Sequence, residues 1–467
     1  MRKIGLFIIS LYISIFFITS ASAATITAQQ HLATYDVSIN VARNFIMSNL
    51  ENLGTVYTTC LFYGVNNDMI AEILANDFPG LTGQVVSSYF DDHGFHGNSL
   101  GFNSIETVDT TLDDVSYKNE PYYKYQWHID SSTYQAQNLA FQNALSGYVI
   151  GDVDADADIN VVEAWKSSRG ADVYVAVIDD GVDVNHEDIK DNLYLAYNAD
   201  DKSSDVSNKN TDQDIASHGN TCAGFITSSI NGKGTVGVAP SSKLIAIKLG
   251  SSLDSTTIEA FEYAKNNGAK VISCSWGTEH VSDAIVAELK SLYDAGITVL
   301  FASGNDHKSL DTTGLYDESE VEWVIGVGSS AENNDVAEAY SNYGSNIDII
   351  APGGDASNSI GILGLDDSGT QGSKDNYGLV SNSYSFGNGT SYATPVAAGV
   401  VALMYSVNPH ITPKQVKEIL ISTTDKVGGT KANYINNSLT NQTFDEQRAY
   451  GKINAGHAVA AAKALNN

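Results

Sequence analysis

The chain of 467 residues carries 55 acidic against 25 basic side chains, a formal net charge of −30. Such a surface repels phosphate backbones and argues against a nucleic-acid partner. Hydrophobic residues make up 43%, enough for a core without staples, and three cysteines do not make a disulfide framework. Residues 1–23 have the pattern of a secretory signal: Arg2 and Lys3, an apolar stretch from Ile4 to Thr19, and the small residues Ala21-Ser22-Ala23. A membrane anchor is the alternative reading of that stretch; later segments are too short or too polar to be expected to cross a bilayer. The expectation is a secreted protein, extracellular or periplasmic, and monomeric. In residues 24–118, apolar spacing predicts helices over Val41–Leu53 and Met69–Asp77 and a strand over Thr55–Tyr63. This small α+β unit is expected to be a propeptide, with an unrelated N-terminal domain as the alternative. The polar stretch Asp109–Glu120 has the composition of a linker.

From Tyr122 onward, apolar β-rich runs alternate with helical stretches. Strands are predicted at Val173–Ile178, Leu244–Leu249, Val271–Ser275, Thr298–Ala302 and Trp323–Val327. Helices are predicted at Ile258–Asn267, Ala284–Asp294, Ser391–Tyr405 and Pro413–Ser422. This alternation implies βαβ units and an α/β fold, with a mainly parallel sheet between helical layers. Sites in such sheets form at the carboxyl ends of strands, where Asp179 and Asn305 fall.

Three distant segments carry candidate chemistry. Asp179 follows the apolar run Val175–Ile178 and precedes Asp180-Gly181. His218 opens His218-Gly219-Asn220-Thr221-Cys222-Ala223-Gly224 at a helix start, where a dipole would lower its pKa. Ser391 lies in Gly389-Thr390-Ser391-Tyr392-Ala393-Thr394-Pro395, beside the backbone N–H groups of a predicted helix. Each has an ordinary reading alone: a turn carboxylate, a surface histidine, a helix-capping serine. In the order Asp, His, Ser they supply an orienting carboxylate, a base and a nucleophile.

These segments resemble the subtilase family of serine peptidases over about residues 121–465. The resemblance implies catalysis by Asp179, His218 and Ser391 through an acyl-enzyme. It also implies an oxyanion donor at Asn305 of Ala302-Ser303-Gly304-Asn305, and substrate pairing at Ser275-Trp276-Gly277 and Gly304. Tyr450-Gly451-Lys452-Ile453-Asn454-Ala455 is similar to the family's closing segment. Several stretches look like the kexin/furin branch: Gln126-Trp127-His128, Asp158-Ile159-Asn160-Val161 and Asp179-Asp180-Gly181. That branch cleaves after basic residues, and Asp180 matches one of its S2 acids. Thr278-Glu279-His280 and Asp306-His307-Lys308 depart from its pattern; Glu279, Asp306 and Asp311 are candidate S1 acids. Lys118, just before the mature-like start, is a candidate P1 residue for self-cleavage.

The resemblance further implies structural Ca²⁺, held by Asp188, the Asn231 side chain and the carbonyls of Ser229, Lys233 and Thr235, with Asp158 as a branch-specific ligand. Mixed carboxylate, amide and carbonyl oxygens suit that ion. Asp152-Val153-Asp154-Ala155-Asp156 is a weaker metal candidate. Cys222, four residues after His218, is expected to pack beneath it as a buried thiol, with pairing to Cys274 left open. The expected function is a secreted, self-processing serine endopeptidase acting on polypeptides and inhibited by its own propeptide. The alternatives are a catalytically silent binding protein of the same fold and a serine hydrolase of small esters.

Overall fold

The computed structural model describes residues 116–132, 153–207, 217–251, 253–312, 316–355, 361–368, 379–437 and 440–466. The chain divides into two compact units, Met1–Thr110 and Thr111–Asn467, and the described residues belong to the second. The leader and the elements expected over residues 24–110 lie outside the described residues.

Seven strands form one parallel sheet: β1 (Tyr174–Asp179), β2 (Leu193–Asn198), β3 (Lys243–Lys248), β4 (Val271–Cys274), β5 (Thr298–Ala302), β6 (Ile325–Ser330) and β7 (Ile349–Pro352). Their spatial order is β2-β3-β1-β4-β5-β6-β7. The central strands are continuous apolar runs because helices cover both faces; Val175 to Ile178 are all buried. The chain winds one way from β1 to β2 and β3, then the other way from β4 onward. The switch therefore falls beside β1, the place where such sheets open a crevice. β2 and β7 escape the sequence pattern. β2 is an edge strand of mixed exposure, Leu-Tyr-Leu-Ala-Tyr-Asn, and β7 is only four residues long.

The helices are α1 (Val161–Ala164), α2 (His218–Thr227), α3 (Asp254–Asn266), α4 (Asp283–Asp294), α5 (Thr390–Val407), α6 (Pro413–Thr423) and α7 (Ala455–Ala464). Local chemistry starts several of them. Ser282 caps α4 by accepting from the Ile285 N–H, and Thr412 with Gln415 forms a capping box ahead of Pro413 in α6. α3 begins four residues earlier than its apolar spacing predicts, since polar Asp254, Ser255 and Thr256 form its first turn.

α5 meets the length and hydropathy of a membrane span, contrary to the sequence expectation, yet most of it is buried in this unit. It packs against α2, α7 and strands β4 to β7. Small residues permit the close approach: a Cβ on Gly399 would lie 2.6 Å from the Val238 Cβ. The antiparallel pair β8 (Ile362–Leu365) and β9 (Tyr384–Gly387) covers α2, where Leu365 occupies the space a side chain at Gly224 would need. Upstream, Tyr117 is buried against Trp165, with ring centroids 4.8 Å apart, so the chain near Lys118 is already part of this unit.

Candidate active site

β1 delivers Asp179 at its carboxyl end, and α2 begins with His218 beside it. His218 Nδ1 and Asp179 Oδ1 are 2.7 Å apart. Asp179 Oδ1 also accepts the Asp180 N–H at 2.8 Å, which fixes the carboxylate plane. Asp180 Oδ1 accepts the Gly219 N–H at 2.8 Å and so takes up an otherwise open donor at the start of α2. Gly219 has to be glycine: a Cβ there would stand 2.3 Å from the Gly181 carbonyl oxygen and 2.8 Å from Asp179 Cβ.

The Asp179 carboxylate raises the His218 imidazole well above the ordinary histidine value, against the opposing effect of burial. This corrects the expectation of a lowered pKa. A full charge in contact outweighs the partial charge of a helix end.

Ser391 sits in the first turn of α5. Its hydroxyl donates to the Ser275 carbonyl at 3.1 Å, while the Ser275 hydroxyl donates to the Ser391 carbonyl at 2.7 Å. Among the described residues no hydrogen bond joins Ser391 to His218. Cys222 lies under both residues, Sγ 4.0 Å from His218 Nδ1 and 3.4 Å from the Ser391 carbonyl oxygen. Cys222 and Cys274 are free and buried, which closes the question of their pairing.

Asn305 follows β5. Its Oδ1 accepts from the Thr390 N–H at 2.9 Å and the Thr390 hydroxyl at 3.0 Å, leaving the Nδ2 donors without a partner among the described residues. Ser391, Asn305, Gly304, Ser275, Trp276 and Gly277 all line one cavity of about 240 Å³. Ser275 to Gly277 run on beyond β4, outside the sheet. The Trp276 indole donates to the Ile178 carbonyl at 2.8 Å and packs at 89° on Phe301.

Four acids line the cavity: Glu279, Asp306, Asp317 and Glu320. The first two are sequence candidates. Asp311 is not among the lining residues; it holds the Ser345 N–H and hydroxyl instead, at 3.0 and 2.8 Å. Asp306 is exposed and paired with Lys308 at 3.1 Å. Asp317 and Glu320 were invisible in the sequence, because nothing in Asp317-Glu318-Ser319-Glu320 announces that it folds under Gly277. Asp317 Oδ1 accepts the Ser319 N–H at 2.9 Å, and Oδ2 would stand 2.6 Å from a Cβ on Gly277. Burial pushes the Asp317 carboxyl up to about 6. Asp180 does not line this cavity.

A second cradle forms where residues 120, 187–188, 229–235 and 384 meet. Asp188 Oδ2 accepts from the Thr235 N–H at 3.0 Å, the Thr235 hydroxyl at 3.2 Å and the Tyr384 hydroxyl at 3.2 Å. Ser229 donates from its N–H to the Asp188 carbonyl at 3.0 Å. Asn231 Nδ2 donates to the Glu187 carbonyl and the Ser229 hydroxyl, both at 3.0 Å. Lys233 extends its ammonium outward to Glu187 at 3.7 Å. Two buried oxygens, Asn231 Oδ1 and Glu120 Oε2, have no hydrogen-bond partner among the described residues. Burial pushes Asp188 up to about 7.

Asp158 lies in a different network. Its carboxylate accepts from the Ser131 N–H at 3.0 Å, the Ser131 hydroxyl at 2.6 Å and the Asn160 N–H at 2.8 Å. These bonds tie Asp158 to the segment at Ser131 and to the start of α1. Near the Asp154–Asp156 run a buried ammonium stands in for a metal: Lys452 Nζ donates to the Asp156 carbonyl and, at 2.8 Å, to Asn334 Oδ1.

A seven-stranded parallel sheet with Asp179, His218, Asn305 and Ser391 at its carboxyl edge defines a class, and residues 170–451 match the family model described as the subtilase family. The chain belongs to that family. A calcium-dependent protease of Nostoc sp. is 32% identical over 375 residues, covering 73% of this chain and 52% of that protein. A subtilisin of Bacillus pumilus is 34% identical over 265 residues, covering 56% of this chain and 86% of that protein. Among solved structures, a protease of Pseudoalteromonas arctica aligns with a TM-score of 0.57 at 28% identity, over 74% of this chain and 99% of that one. The chain spans about half the length of the calcium-dependent proteases it matches.

Proposed function

We propose that the protein is a serine endopeptidase in which Ser391 attacks the scissile carbonyl, His218 takes the proton and Asp179 holds the imidazole. The observation that carries this is the 2.7 Å contact of His218 Nδ1 with Asp179 Oδ1, next to a cavity that Ser391 and Asn305 share. With Nδ1 committed to Asp179, Nε2 is left to accept the serine proton. For attack the Ser391 hydroxyl must leave the Ser275 carbonyl and turn to the imidazole. The Asn305 amide, whose oxygen is tied to Thr390, then donates to the oxyanion. The backbone of Ser275–Gly277 and Gly304, which lines the cavity beside Ser391, offers pairing to an extended polypeptide, which favours peptide over small-ester substrates.

The excess of carboxylates in the cavity supports a basic P1 residue. Asp317 is the acid best placed to read it, since its Oδ2 faces the strip of cavity floor over Gly277. The same reading takes residues 1–23 as a signal for secretion and the residues up to about 118 as an inhibitory propeptide removed by self-cleavage.

Calcium fits the second cradle. An all-oxygen donor set of Asp188, Asn231, Glu120 and nearby carbonyls leaves two buried oxygens unpartnered, a deficit that a divalent cation would satisfy. Glu120, absent from the sequence-derived ligand set, binds the Asn231 and Gly232 N–H groups at 2.9 and 2.8 Å through its other oxygen. A bound ion would hold the segment around Glu120 to the 229–235 loop.

The test is fluorophosphonate labelling together with casein hydrolysis, for wild type and Ser391→Ala. Labelling and hydrolysis that both vanish in the variant support the reading. No labelling of wild type returns the silent binding protein; labelling with ester but no casein turnover returns the small-molecule hydrolase.

A further inference from the structure

Asn305 is exposed at the cavity rim, and among the described residues its own side chain makes bonds only to Thr390. The turn that carries it is braced by two side chains: the Thr390 hydroxyl, which accepts the Gly304 N–H at 3.2 Å, and Asn342, which is buried and makes three bonds to it. Asn342 Oδ1 accepts the N–H groups of Asp306 and Lys308, at 3.0 and 3.1 Å. Asn342 Nδ2 donates to the Ser303 carbonyl at 2.9 Å. Its main chain adds two more bonds: the N–H donates to the Gly304 carbonyl at 2.9 Å, and the carbonyl accepts the Ser303 hydroxyl at 3.1 Å. Every bonded residue flanks Asn305, two on each side. Gly304, with φ +97°, leaves room for this packing; a Cβ there would lie 2.5 Å from Asn342 Nδ2.

We propose that Asn342 is a positioning residue of the oxyanion site: its amide clamps the 303–308 turn from both ends and so aims the Asn305 side chain, whose oxygen Thr390 holds directly. An amide suits the task because one oxygen must take two N–H donors while the nitrogen reaches a carbonyl. Aspartate keeps the acceptor and loses the donor; alanine loses both. The segment bearing Asn342 is anchored in turn. Tyr340 accepts the His307 N–H at 2.7 Å through its carbonyl and donates through its hydroxyl to the Gly354 carbonyl at 2.5 Å. The neighbouring Gly353 carbonyl accepts the Gly389 N–H at 3.0 Å, two residues before Ser391. One frame therefore sets both the oxyanion donor and the nucleophile.

The inference depends on the serine-protease reading above, and the experiment separates the two. Purified full-length protein is assayed on a peptide p-nitroanilide as wild type, Asn305→Ala, Asn342→Ala and the double variant. Because oxyanion donation acts in the transition state, Asn342→Ala should lower kcat about 10- to 100-fold with KM changed less than about twofold. In the Asn305→Ala background the same substitution should cost less than about threefold, since the donor it aims is gone. Equal losses in both backgrounds, or unchanged kcat, would overturn the proposal. Should Asn342→Ala not unfold cooperatively, Asn342→Asp is read by the same criterion. An Asn305→Ala enzyme as fast as wild type overturns the oxyanion assignment beneath it as well.

Discussion

Asp317→Asn isolates the charge that is to read the P1 side chain. Asparagine keeps the oxygen that accepts the Ser319 N–H at 2.9 Å, so the short turn at Glu318–Glu320 retains its cap and the fold is spared. What disappears is one negative charge beside Gly277. An arginine or lysine head about 4 Å from that carboxylate gains about 4 kcal/mol at an intermediate dielectric. The cavity is open to water and Lys308 stands on its rim. Discounting for both leaves about 2 kcal/mol, or about 30-fold in kcat/KM. The assay compares peptide p-nitroanilides with arginine and phenylalanine at P1. For wild type the arginine-to-phenylalanine ratio should also fall as pH drops through about 6, where the Asp317 carboxyl takes up its proton. In Asp317→Asn the ratio should be about 30-fold lower at pH 8 and lose that dependence. A ratio unmoved by the substitution would show that Asp317 does not see the P1 side chain.

Removing calcium with a chelator should lower the melting temperature by several degrees, given about 2.7 kcal/mol of stabilisation at calcium 100-fold above Kd. Asn231→Ala should abolish that response in a thermal melt, and an equal response in wild type and variant would refute the cradle. His128 is fully buried, neither ring nitrogen has a hydrogen-bond partner among the described residues, and burial lowers its pKa to about 3. An unfolded chain takes a proton there below about 6.5 while the folded one does not, so stability is intact above 6.5 and is lost as pH falls. His128→Leu should flatten the decline by up to about 1.4 kcal/mol per pH unit in urea unfolding between pH 6 and 4; parallel slopes would exclude this origin. Gly219→Ala drives a methyl against Gly181 and Asp179, and should cost about 100-fold or more in kcat by displacing His218. Normal kcat with normal folding would mean that α2 shifts without disturbing the pair.

Much of the site could be read along the chain. The strand before Asp179, the helix after His218 and the helix carrying Ser391 follow from apolar runs bounded by small residues. Those runs appear in the structure within a few residues of their expected limits. The segment with Asn305 was legible for the same reason: it directly follows the buried strand β5. Such signals are local, set by periodicity and by residues that open or close an element.

What the tertiary structure decided has no local signal. Asp317 becomes a cavity acid only because residues 317–320 fold under Gly277, and Asn342 reaches the oxyanion turn from 37 residues away in sequence. Asp158 and Asp311 have the composition of functional acids, yet nearby hydroxyl and N–H donors take them up. The His218 pKa turned on contact with Asp179, 39 residues distant, rather than on its own helix. Sequence determined which residue types could do the chemistry. Packing determined where each carboxylate stands and what surrounds it, which placed Asp317 on the cavity and drew Asp158 and Asp311 into local networks.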